Sequence, residues 1–228
     1  METFFKINLA IHIVAGFTGF FMAPVAMIVK KGGKAHRQWG WVYVWAMGIA
    51  ALTALLTSAF KNNWFFISLA VFSFYAAFAG VRVLKHKKIH LTGRVPFIDW
   101  MAAILNIAFS LCLVVLGIIN LPGAFGYISI TFGTIGIMNG SRDIKRFALK
   151  KEEKQRWLFE HIGGMLGSYI AALSAFSVNN LNFEWMPQVA TWLWPTVIGV
   201  PLMMRWMNYY KQKLSRGKSL NELVKTNY

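Results

Sequence analysis

Five histidines and a small set of acids are the residues of this chain best suited to chemistry. His36, His90 and His161 all fall beside stretches rich in Lys and Arg, and Asp99 follows another such stretch. Brought to one depth, these imidazole and carboxylate donors are what zinc and iron sites use. Two neutral imidazoles on facing helices would also hold the iron of a haem b. The expected metal or haem ligands are therefore His36, His161, His90 and Asp99, with His36 and His161 as the leading pair.

The spacing around two of these histidines repeats. His36 is followed by Gly40, Tyr43 and Met47, and His161 by Gly164, Met165, Ser168 and Tyr169. On a helix these offsets share one face. A flat ligand or a closely packed helix would fit such a stripe, so Gly40, Tyr43, Met47, Met165 and Tyr169 are expected to line a pocket. The plainer alternative is an interfacial histidine bonded to a loop carbonyl or a lipid phosphate. His86, flanked by Lys85, Lys87 and Lys88, is read in that plainer way.

His12 differs because it lies inside an apolar run, about 12 Å along a helix at about 1.5 Å per residue. Ionisable groups in such runs face the interior of a bundle and mark function. Gly16, one turn on, leaves room beside it, and Thr57, Ser58, Ser129, Ser174 and Ser177 are its expected partners. Asn106 and Asn139 are two more intramembrane polar groups. They either line a polar cavity or bridge helices as buried amides.

These groups are positioned by apolar segments of spanning length. The 228 residues are 57% hydrophobic with a mean hydropathy of +0.48. A helix needs roughly 20 residues to cross the hydrocarbon layer. Seven segments qualify, at about 5–29, 38–60, 64–84, 98–120, 123–140, 161–181 and 188–207. The expected fold is an all-α, polytopic membrane protein of seven transmembrane helices. Residues 1–210 would form a single domain and 211–228 a short basic tail. The segment Phe4 to Val29 is too long for the apolar core of a signal peptide and reads as an uncleaved first span.

Of the 24 Lys and Arg, 22 fall in four stretches: Lys30–Arg37, Arg82–Arg94, Arg142–Arg156 and Arg205–Lys225. Basic loops stay in the cytoplasm. That places the N-terminus outside and the C-terminus inside, with the net charge of +16 on the cytoplasmic face. The basic residues punctuate apolar runs, so anionic lipid rather than nucleic acid is the expected partner. Glycines at 126, 133, 136, 140, 163, 164 and 167 allow close helix packing, or docking in a homo-oligomer or a larger membrane complex. With Cys112 as the sole cysteine, no internal disulfide or cysteine metal motif exists.

Walker A, HExxH and GxSxG motifs are absent. Residues 188–204 contain no lysine for a retinal Schiff base. Three readings stand: a redox protein with a histidine-bound metal or haem; a transporter or small-ligand-binding protein using His12, Asn106 and Asn139; and an accessory subunit. The sequence names no substrate.

The run from Gly32 to Met47, GGKAHRQWGWVYVWAM, resembles a bacterial family of predicted membrane proteins classed as a domain of unknown function. The segment from His161 through Val178, and His12 with Gly16, look like that family too. The resemblance implies a multi-pass protein of the bacterial inner membrane and carries no activity. A looser similarity is to transmembrane b-type cytochromes, which hold two haems on a four-helix bundle and pass electrons from ascorbate or quinol. With seven spans and one outer-half histidine, this chain departs from that pattern. The similarity implies at most one haem, on the cytoplasmic side, between His36 and His161.

Overall fold

A computed structural model of the chain describes residues 2–87, 89–150, 155–181, 184–216 and 220–223. The side chains of His90, Thr92, Leu220 and Asn221 lie outside this description, as do residues 151–154 with Glu152, Glu153 and Lys154. Among the described residues the protein is all helical, as expected. Seven long helices follow one another: α1 (Glu2–Ile28), α2 (Lys34–Phe60), α3 (Trp64–Arg82), α4 (Phe97–Ile119), α5 (Ala124–Leu149), α6 (Arg156–Asn180) and α7 (Gln188–Ser215). A 3-10 turn at Val83–His86 and single-turn helices at Ile89–Thr92 and Leu220–Leu223 complete the described chain.

Five of the seven, α1 to α4 and α6, are long and apolar enough to cross a membrane. The other two have the length but not the apolarity. Gly, Ser, Thr and Asn dilute α5, while Gln, Pro, Trp and a basic final turn dilute α7. Four boundaries differ from expectation by four residues or more, the first being α2, which begins four residues before 38. Helix α5 runs nine residues past 140 into the charged segment, α6 begins five residues before 161, and α7 passes 210 unbroken.

Helix α3 is the centre of the bundle and packs on α2, α4 and α6. The hairpins α1–α2 and α4–α5 flank it, α7 packs on α6, and α5 touches α7 lightly. Lipid removes the hydrophobic advantage of burying one helix on another, so close backbone approach and internal polar bonds carry the packing. The α4–α5 seam illustrates the first: a Cβ at Gly133 would lie 2.7 Å from the Ser110 carbonyl oxygen. Asn106 illustrates the second. It is fully buried, and its amide Nδ2 donates to the Gly136 carbonyl at 2.8 Å. Asn106 is therefore a bridge between α4 and α5 rather than a cavity wall. The apolar core joins Phe65, Phe72, Leu113, Ile128, Phe132 and Trp192 from α3, α4, α5 and α7.

Candidate functional site: two imidazoles at helix ends

The close approach of α3 and α6 builds one side of the site. A Cβ at Gly164 would sit 2.6 Å from the Gly80 Cα, so only glycine at both positions lets the backbones meet. One turn before Gly164 is His161, whose Nδ1 lies 2.7 Å from the Gly80 carbonyl oxygen. His36 makes the same bond elsewhere: its Nδ1 lies 2.9 Å from the Ala26 carbonyl oxygen. Ala26 occupies the last turn of α1, where carbonyls lack intrahelical partners, and Gly80 the last turn of α3 before its 3-10 continuation. Each histidine thus closes the C-terminal end of a neighbouring helix.

A carbonyl only accepts, so Nδ1 must carry the proton in both rings. In the neutral imidazole, Nε2 is then an acceptor. The two ring centroids are 6.2 Å apart with planes at 75°. Both rings line one cavity of about 250 Å³, with Gly40, Tyr43, Met165, Trp41, Trp157 and Trp206 among its walls. A Cβ at Gly40 would meet nothing within 4 Å, so this glycine opens onto space. The two expected stripes meet across the cavity floor, where the Tyr43 hydroxyl hydrogen-bonds the Ser168 hydroxyl. Met47 and Tyr169 belong to the apolar cluster beneath, with Tyr43 and Met165, and do not line the cavity. Gly16 is not among its walls.

The charges at this cavity have one sign. Lys31 and Arg37 line it, and no carboxylate does among the described residues. Partial burial holds the Lys31 ammonium below its ordinary pKa.

Asp99 does not join these rings. Its carboxylate, 3% exposed, takes two bonds from Arg82, Nε to Oδ1 at 2.7 Å and Nη2 to Oδ2 at 2.6 Å. His86 Nε2 lies 3.1 Å from Oδ2. His86 is therefore a buried partner of Asp99, not an interfacial group facing lipid. Among the described residues no cluster of three His, Cys, Asp or Glu could hold a metal ion. The expected four-ligand set is reduced to the His36–His161 pair, with the His90 side chain outside the described residues.

His12 braces α1 against α2. Its Nδ1 lies 2.9 Å from the Ala50 carbonyl and 3.0 Å from the Thr53 hydroxyl. Asn8, one turn earlier and buried, donates to the Thr53 carbonyl at 2.9 Å and the Thr57 hydroxyl at 2.6 Å. The partners expected for His12 on α2, α5 and α6 are not the ones it uses. The i, i+4 spacing of Asn8 and His12 was the available signal for this two-rung ladder. Asn139 accepts a 2.6 Å bond from Arg142 and lines a different cavity from the two imidazoles.

No family model, curated protein or solved structure matches the chain.

Proposed function

We propose that the protein is a multi-pass membrane protein that binds a flat, mostly apolar small molecule between His36 and His161. The observation that carries this reading is the pair of Nδ1 bonds to helix-end carbonyls, which leaves two Nε2 acceptors at one aromatic-walled cavity. The complementary ligand has an O–H or N–H donor on a ring, as a phenol or quinol does. Lys31 and Arg37 favour a neutral or anionic species over a cation. The cavity, at about 250 Å³, lies just below the roughly 300–1,000 Å³ of drug-sized ligand pockets. It suits a single ring system.

A second reading, redox work at a bound metal or haem, has one observation in its favour. Two metal–nitrogen bonds of about 2.0–2.1 Å plus the two half-rings come to about 6 Å, against the 6.2 Å between ring centroids. Metal-bound histidines also commonly donate their other ring N–H to a carbonyl. The fit is incomplete for zinc or non-haem iron, which need at least a third protein donor. A haem iron needs only these two, but its macrocycle exceeds the cavity.

The membrane setting belongs to the same proposal. Seven crossings, an outer N-terminus and a cytoplasmic C-terminus follow from the distribution of basic residues, and a bacterial inner membrane is what the family resemblance implies. A homo-oligomer or a larger complex is compatible with it.

Native mass spectrometry and absorption spectroscopy of one fresh preparation test the reading. A co-purified ring compound, lost in His36→Ala and His161→Ala, is the expected result. A Soret band lost in the same variants would favour haem instead. A wild-type protein carrying neither would overturn both.

A further inference from the structure

The opposite face of α6 borders a larger cavity, of about 940 Å³, walled by α3, α5, α6 and α7. Among the described residues, none lines both this groove and the imidazole cavity. It exists because α5 packs on α4 and only lightly on α7, which leaves a wedge between α5 and α6.

The groove changes character along its length. Among the described residues, one end carries Arg142, Arg146, Arg156 and Lys211 with Asp143 and Glu160, an excess of two positive charges. Both carboxylates are engaged. Asp143 accepts from the Tyr75 hydroxyl at 2.6 Å and pairs with Arg146 Nη2 at 2.9 Å. Glu160 pairs with Arg156 at 3.2 Å and more distantly with Arg142 at 3.9 Å. Arg146 is 8% exposed, yet its Nε has no hydrogen-bond partner among the described residues. A buried guanidinium donor left unsatisfied is costly, and an anionic oxygen is its natural complement. The other end is apolar, formed by Phe72, Phe132, Ile170 and Val197.

Length and openness agree with this polarity. From Phe132 to Arg142 the helix rises about 15 Å. That is half of the roughly 30 Å hydrocarbon layer, or one leaflet. Gly163 and Gly167 line the groove, and a Cβ at either would meet nothing within 4 Å. Neighbouring Gly164 is needed for helix contact; these two leave the groove open.

We propose that the groove holds one anionic phospholipid, its phosphate at Arg142, Arg146 and Lys211 and an acyl chain running toward Phe132. The site is independent of the proposed imidazole ligand, so either can fail without the other.

The test uses the full chain in detergent with added dioleoyl phosphatidylglycerol, followed by native mass spectrometry. The wild type is expected to retain one phosphatidylglycerol under conditions that strip phosphatidylcholine of the same chains. Gly167→Leu, which sends a side chain into the groove from a position where a Cβ would meet nothing within 4 Å, is expected to weaken retention about tenfold. Should that variant not fold, Arg142→Gln with Lys211→Gln, at two exposed positions, is expected to do the same. Undiminished retention in the folded variants, or equal retention of phosphatidylcholine, would overturn the proposal. So would inorganic phosphate alone raising thermal stability as much as phosphatidylglycerol does.

Discussion

Replacing Asp99 with Ala removes the anion from a buried cluster and leaves two cationic or polar partners behind. The carboxylate side chain is 2% exposed and accepts from Arg82 twice and from His86 once. Breaking a buried pair by deleting one partner costs about 3–5 kcal/mol. The Arg82 side chain is 18% exposed, so water partly resolvates it and the lower end applies, about 3 kcal/mol. For a chain of this size each kcal/mol moves the midpoint about 2–4 °C, which predicts a loss of about 6–12 °C. The assay is thermal unfolding of the detergent-solubilised protein, followed by loss of the monodisperse peak. Arg142→Ala is the comparison: its contact with Glu160 is 3.9 Å and its side chain 50% exposed. An exposed pair contributes about 0.2–1 kcal/mol. Equal, small shifts in the two variants would refute the claim that Asp99 holds α3 to α4.

Three further outcomes are expected. Asn8→Ala and His12→Ala should each cost about 1 kcal/mol, and the double variant should depart from additivity because both side chains converge on Thr53; strictly additive Tm shifts would count against the ladder. Gly164→Leu should abolish the monodisperse peak or broaden it severely, whereas Gly163→Ala should leave stability unchanged or raise it by up to about 1 kcal/mol; similar behaviour of the two would contradict the close approach at Gly80. Lys31, with its pKa lowered by burial, has a larger neutral fraction at any given alkaline pH than an ordinary lysine. It should therefore reach half-maximal acylation rate at a lower pH than a free N-acetyl-lysine amide in the same reaction, read by mass spectrometry, and an identical pH profile would refute this.

The helices were legible because apolar runs of spanning length separate clustered charges, and the four boundary differences all lie where polar residues continue a helix beyond the hydrocarbon. The stripes after His36 and His161 were legible for a related reason: helical offsets place Tyr43 and Ser168 on the faces that meet. Partnership across helices was not. Asp99 and His36 both stand near helix starts, and nothing in their spacing distinguishes an acid that turns to Arg82 from one that joins a histidine. That choice depends on which helices become neighbours. Likewise the lysines around His86 point to an interfacial group, and the 3-10 turn at Val83–His86 folds it onto Asp99 instead. The acceptors of His36 and His161 are main-chain carbonyls, which no side-chain pattern announces.

Those carbonyls tie the structural role of the two rings to the chemical one proposed for them. A histidine that only capped a helix end would be replaceable by any donor of similar reach. Here the capping bond also fixes which nitrogen holds the proton, because a carbonyl can take only a donor. Fixing Nδ1–H leaves the Nε2 lone pair of the neutral ring as the remaining polar feature of each imidazole. The α3–α6 approach at Gly80 and Gly164 sets where the His161 ring stands, and the α1–α2 turn sets where His36 stands. The spacing of the two acceptors is therefore inherited from helix packing, not from the flexibility of either side chain. On the proposed reading, a change that moves α3 against α6 would alter the binding geometry without touching a ligand-facing atom, and a ligand that drew the two Nε2 atoms together would pull on the same pair of helix ends.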